Sequence, residues 1–166
     1  MDLLKAIEKL VWAEKDTYYY IDYIPHNPES SAYLELERYY ERTYLHTFAD
    51  KISRIMLQVM WEYPCHVCLG EMDKQLEQYA HILPYTDIRC YTPAQLADII
   101  KTVIIENFTV LSILLLDGRS LINVQGYFQV VLYEPPEDMI VFVKQLCQAE
   151  GLFLKYKAED GSRRLI

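Results

Sequence analysis

The stretch Phe108 to Leu116 is an apolar run rich in branched residues, and Asp117-Gly118 follows it at once. No other feature constrains the fold as much. Branched side chains suit a pleated, half-buried surface. An Asp-Gly dipeptide suits a two-residue hairpin, whose two central positions both need positive φ. A strand, a tight turn and a return strand from near Arg119 toward Tyr133 are expected, with Gly126 marking a bulge or a second turn. A sheet built this way needs cover, and the flanking segments supply helices. Thr92-Pro93-x-Gln95 places a cap, a proline and a capping-box glutamine in register, ahead of a buried face of Leu96, Ala97, Ile100, Val103 and Ile104. Pro135-Pro136-Glu137-Asp138 opens a second helix, with Ile140, Val143, Leu146 and Cys147 inward and Gly151 as its C-cap. Leu152 to Tyr156 reads as a last strand, and residues 158–166 as a polar, fraying tail.

The first half reads differently. Leu3, Leu4, Ile7, Leu10 and Val11 make a helix-period stripe, and residues 18–24 are strand formers up to the break at Pro25. A long helical pattern begins at Asn27-Pro28 and carries Tyr33, Leu36, Tyr40, Tyr44, Phe48, Ile52, Ile55 and Val59 at steps of three or four. Thr47-x-x-Asp50 resembles a capping motif, so this stretch divides into two helices bent near His46. Asp50 and Arg54 form an i,i+4 pair of favourable order. Residues 61–70 read as a connector and Glu71 to Leu83 as a shorter helix, with Met72, Leu76, Tyr79, Ala80 and Leu83 inward. The fold class is therefore α+β: an N-terminal helical half packed with a small, mainly antiparallel sheet, hairpinned at Asp117-Gly118 and covered by helices on one face. The chain of 166 residues suits a single domain, 1–166, with sub-halves 1–84 (helical) and 85–160 (α+β).

Charge narrows the function classes. Sixteen Lys and Arg against 24 Asp and Glu give a net charge of −8. An acidic chain with no basic run longer than Arg163-Arg164 disfavours nucleic acid and anionic membrane as partners. The apolar stretch Leu96 to Leu116 contains Asp98, Lys101 and Glu106, too much charge for a membrane span. The N-terminus has no signal-peptide core, and four cysteines in a chain of this size read as reduced thiols, which together point to a cytoplasmic protein.

Candidate chemistry is sparse. In Cys65-His66-Val67-Cys68, two thiolates three apart suit a tetrahedral metal or a redox pair. Cys65 and Cys68 are thus the only candidate metal ligands. The zinc-finger spacing reaches His81 but lacks a further histidine near 85–87, and Glu62 and Glu71 would raise the thiol pKa values. Structural thiols are the preferred reading, with no cofactor expected. No hydrolase elbow, zinc-protease motif or dinucleotide fingerprint occurs, and five glycines leave little for a nucleotide-binding loop. No catalytic residue is assigned. His46, amid Tyr44, Leu45 and Phe48, reads as a helix-packing histidine. Eight of the 15 tyrosines lie within residues 18–44, and residues 1–84 hold 14 acidic against 8 basic side chains. Tyrosine concentrates at interfaces because it brings stiff contact area with one polar tip. The expectation is a non-catalytic protein-binding module, of the inhibitor or immunity-protein kind, engaging another protein of basic character through Tyr39, Glu37 and Glu41. The alternatives are an enzyme or small-ligand protein whose site is assembled from dispersed residues, with His46 or His81 beside a carboxylate, and a protein stabilised by metal at Cys65 and Cys68.

Overall fold

Strand pairing organises this chain. The computed structural model describes residues 2–13, 16–26 and 32–166. Among them the elements run α1 (Leu3–Val11), β1 (Tyr18–Asp22), α2 (Ala32–Thr43), α3 (Leu45–Glu62), β2 (Cys65–Leu69), a 3₁₀ turn (Glu77–Tyr79), α4 (Pro93–Glu106), β3 (Leu111–Leu115), β4 (Leu121–Val124), β5 (Val130–Tyr133), α5 (Glu137–Glu150), β6 (Phe153–Lys157) and β7 (Arg163–Leu165). The strands form one seven-stranded sheet in the order β2-β3-β4-β5-β1-β6-β7, antiparallel throughout. The architecture is α+β. Strands from before and after residue 85 share the sheet, so the sub-halves 1–84 and 85–160 do not separate. Among the described residues, no helix is long and apolar enough to cross a membrane.

Alternation along each strand sorts side chains onto two faces. Ile21, Val67, Ile113, Ile122, Val130, Leu132 and Leu154 join one core with Phe48, Ile52, Ile55 and Val59 of α3, Ile100 and Val103 of α4, and Val143 of α5. Fully burying each such side chain stabilises the fold by about 1.5–3 kcal/mol. The opposite face presents Cys68, Leu114 and Leu121, and Leu3 and Ile7 of α1 cover them. The helices are therefore not confined to one face: the strong apolar stripe of α1 needs a partner, and only the far side of the sheet offers one.

The local signals hold where they are self-contained. Thr92 and Gln95 make both halves of the capping box at the start of α4, and Gly151 ends α5 at φ 67°. Elsewhere tertiary pairing overrides them. Residues 65–69 are a strand and not a connector, because β3 pairs along one edge while Ile88 and Tyr85 donate to the Val67 and Leu69 carbonyls at 2.7 Å along the other. The helix expected over Glu71–Leu83 shrinks to the 3₁₀ turn. There the Tyr79 ring stacks on Phe108 and its hydroxyl bonds Asp98 of α4 at 2.6 Å, while Ala80 and Leu83 are exposed. At the hairpin only Gly118 has positive φ, and Leu115 and Ser120 close it at 3.0 Å, so the connection spans Leu116 to Arg119 instead of two residues. The tail does not fray: β7 pairs with β6 after a turn at Gly161 (φ 79°). The break in the long helix falls at Tyr44, before the Thr47 motif. The expected start at Asn27-Pro28 lies outside the described residues. Asp50 and Arg54 do not pair with each other. Asp50 takes Lys101 of α4 at 2.7 Å and Arg54 takes Glu150 of α5, also at 2.7 Å, so both charges staple α3 to its neighbours.

The turn after β4 depends on one close approach. α4 ends on Asn107 in the left-handed region (φ 46°), and Tyr127 donates to the Ile104 carbonyl at 2.8 Å. A Cβ on Gly126 would fall inside the contact radius of the Asn107 side chain, its Cβ included. Gly126 is thus a turn residue because a helix end occupies the space a side chain would need.

Candidate functional site

The end of α3, the start of α4 and the middle of α5 do not close over one another. Leu57, Met60 and Trp61 on α3, Pro93 and Leu96 on α4, and Phe142 on α5 border an apolar groove of about 540 Å³. Met60 and Leu96 are buried at its floor, whereas Trp61 is 87% exposed at its lip and Val141 of α5 is also exposed. The walls are fixed by polar ties. Arg89 donates from Nη2 to the Met60 carbonyl at 2.8 Å, satisfying one of the carbonyls left open at the end of α3. The Tyr63 hydroxyl donates to Asp138 Oδ2 at 2.9 Å, joining the end of α3 to the first turn of α5. Burial, and then this bond to Asp138, pushes the Tyr63 phenol up to about 12, so it remains a donor at neutral pH. Glu62 and Arg89 are the charged side chains of the lining, and Asp138 opens α5 beside Tyr63.

The residues expected at the interface lie elsewhere. Tyr39 is 60% exposed and packs edge-on against Tyr40 at 5.8 Å, so it is off the inward stripe of α2 as anticipated. Glu37 and Glu41 are half-buried. Two helical steps turn about 200°, so both carboxylates sit across the helix from Tyr39. Glu37 faces Tyr23 and Tyr33, where its charge adds to burial in raising both phenols. The three residues therefore do not make one continuous surface. The part of α3 ahead of Leu57 puts about 18 Å of helix between α2 and the nearest residue of the groove.

The cysteine pair is placed by β2. Cys65 faces the core under α3, and Cys68 faces α1. Three steps along a strand separate their Cα atoms by about 10 Å on opposite faces, which excludes one tetrahedral ion or a disulfide shared between them. Burial raises the Cys65 thiol, with Arg89 pulling the other way, and lifts Cys68 to about 12. Burial alone lifts Cys147 to about 12. Desolvation, and not Glu62 or Glu71, is what keeps these thiols protonated. Among the described residues, no three His, Cys, Asp or Glu side chains are grouped to hold a metal ion.

Of the histidines, the structure pairs one that the sequence reading did not single out. His66 Nδ1 lies 2.6 Å from Asp87 Oδ2, and Asp87 Oδ1 accepts from the backbone N–H groups of Val67 (3.1 Å) and Arg89 (2.9 Å). Burial pushes the Asp87 carboxyl up, but these three bonds outweigh it and hold the group below the usual carboxylate range. His46 is exposed and not packed, and His81 is exposed as well. Among the described residues, neither has a carboxylate within ion-pair distance. A histidine and an aspartate 21 positions apart give no sequence signal; only the loop docking onto β2 joins them.

Comparisons with protein-family models, with curated protein sequences and with solved structures return no match for this chain.

Proposed function

We propose that this chain is a non-catalytic protein-binding module of the inhibitor or immunity kind, and that it receives its partner in the groove between α3, α4 and α5. The observation that carries this reading is Trp61, 87% exposed at the lip of an apolar groove of about 540 Å³. An exposed tryptophan next to apolar walls has the composition of an interface centre, where truncating one such anchor costs about 2 kcal/mol or more. Glu62 in the lining fits a partner that brings an apolar side chain flanked by lysine or arginine. Net acidity (−8 overall) speeds the approach of such a partner. Tyr39 offers a second, separate contact surface on α2.

The test is affinity capture with the wild-type chain, followed by dissociation constants for the captured protein against Trp61→Ala, Glu62→Lys and Tyr39→Ala, each with its melting temperature. Trp61→Ala should weaken binding about 30-fold at an unchanged melting temperature. Equal affinity for wild type and Trp61→Ala would remove the groove from the account. A second reading, an enzyme with a dispersed site, has the His66–Asp87 pair in its favour, since a carboxylate-aligned imidazole is half of a general-base device. Backbone amide shifts on adding a partner or ligand separate the two readings: they centre on Trp61 for the first and on His66 for the second.

A further inference from the structure

The two charges in the lining of the groove are of opposite sign. Glu62 is exposed at the end of α3, and Arg89 reaches in from the loop ahead of α4. Among the described residues, neither has an opposite charge within ion-pair distance. Arg89 is held by neutral groups, the Met60 carbonyl at 2.8 Å and the Cys65 thiol, while the nearby Asp87 carboxylate is taken by His66. Trp61 stands between the two charges: Glu62 follows it, and Arg89 is tied to the carbonyl of the residue before it. One patch thus carries an apolar anchor, the hollow beside it, and a charge of each sign. Such a patch can face its own copy. About a two-fold axis residue i meets j and j meets i, so every contact is made twice. A patch of one sign would repel its copy instead.

We propose that two copies of this chain associate through the groove about a two-fold axis: Trp61 of each enters the groove of the other, against Leu57, Leu96 and Phe142, and Glu62 of each faces Arg89 of the other. The inference rests on the reading of this groove as a protein-binding site, and it names what occupies the site before a basic partner arrives. A second copy has the chemistry asked of that partner, an apolar side chain with an arginine beside it. The area sets the strength. Burying a tryptophan removes about 150–250 Å². Two of them, with the walls they cover, remove about 600–1,000 Å², which falls among transient complexes under about 1,200 Å². Each copy also carries a net charge of −8, and that repulsion weakens the pair further. The association is therefore reversible, with a dissociation constant of about 10–100 μM. A basic partner, drawn by the same charge that pushes the copies apart, displaces the second copy.

The experiment is sedimentation velocity on the full chain. Wild type should pass from monomer to dimer between about 5 and 500 μM. Trp61→Ala should weaken association at least about 30-fold, since each dimer loses two anchors. Glu62→Arg sets cation against cation and Arg89→Glu sets carboxylate against carboxylate, so each alone should stay monomeric. An equimolar mixture of the two restores opposite charges at both contacts and should dimerise as wild type does. If Arg89→Glu does not fold, Glu62→Arg decides alone: association should fall from wild type to its mixture with Glu62→Arg, and again to Glu62→Arg by itself. A wild-type chain still monomeric at about 500 μM, a dimer that Trp61→Ala leaves intact, charge variants that associate as wild type does, or a mixture of the folded variants that stays monomeric each overturns the assignment. The captured partner keeps the two claims apart. If the chain is monomeric and the partner still depends on Trp61, only the self-association falls; if neither depends on Trp61, the groove reading falls with it.

Discussion

Replacing Gly126 with alanine tests whether helix α4 dictates the β4–β5 turn. The added Cβ lands well inside the 3.0 Å that real Cβ atoms respect, and one of the atoms it meets is the Cβ of Asn107, which no rotamer change can withdraw. Backbone must move instead, and the bond from Tyr127 to the Ile104 carbonyl lies across the gap that opens. Overpacking of this kind costs about 1–3 kcal/mol and the hydrogen bond about 1 kcal/mol. Against that, removing a glycine from the unfolded chain returns about 0.4–1 kcal/mol. The net is a loss of about 2 kcal/mol, or about 4–8 °C in melting temperature for a chain of this length. Asn107→Gly removes the obstructing side chain and puts glycine in a left-handed C-cap, where glycine is at home, so alone it should be neutral or mildly stabilising. The double variant should recover most of the loss, giving a coupling of about 2 kcal/mol in a double-mutant cycle read by urea denaturation. If the two substitutions simply add, the contact with Asn107 is not what reserves this position for glycine.

Further outcomes follow from burial and charge. Asp87 and Glu150 have folded-state pKa values held below ordinary, Glu150 chiefly by its bonds to Arg54. Their stabilisation is whole above the unfolded values near about pH 4 and fades as pH falls through the folded values. Denaturant midpoints should therefore drop on acidification to about pH 3, and drop less in the Asp87→Asn/Glu150→Gln variant; an equal drop in both would clear these two groups. Of the four thiols only Cys90 is exposed, so a neutral-pH thiol reagent should titrate one cysteine in the native chain and four after unfolding. Rapid reaction of Cys68 or Cys147 would contradict their burial. Phe48→Ala should cost about 3–5 kcal/mol. Tyr39→Ala should cost under about 1 kcal/mol, since its ring contact with Tyr40 is at the surface. Similar losses from the two would place Tyr39 in the core.

What could be read from the residues divides by the distance over which the cause acts. The Thr92–Gln95 box, the Gly151 cap and the stripes of α3 and α5 are set by neighbours within one or two turns, and those elements form where expected. β2 is a strand because β3 and the loop around Ile88 bond both its edges, which nothing between Cys65 and Leu69 announces. Glu71 to Leu83 has a passable helical pattern, yet docking Tyr79 onto Phe108 and Asp98 prevails over it. The groove was illegible for the same reason. Trp61, Pro93 and Phe142 come from three helices, and their meeting depends on packing angles that sequence periodicity does not encode. Tyr39 was legible as exposed because one helix suffices to place it, and the same helix shows why Glu37 and Glu41 do not share its surface.

The insertion of β1 between β5 and β6 has a temporal consequence. On the ribosome β1 is made before the other six strands, but Ile21 must wait 109 positions for Val130 and 133 for Leu154. β3 to β5 close as successive hairpins, β2 joins β3 across α4, and α5 brings β6 within reach, yet β5 and β6 share no backbone bond, so the sheet stays in two pieces until β1 enters. The earliest of these seven strands to be made gains its second neighbour only after α5, when β6 follows. Sequence-distant closure of this sort slows folding, and an unpaired strand exposed throughout synthesis is where aggregation starts. A nascent chain halted before Phe153 is therefore a natural target for chaperones that hold extended segments, and its lifetime in that state, more than the depth of the finished core, would govern how much protein a cell recovers.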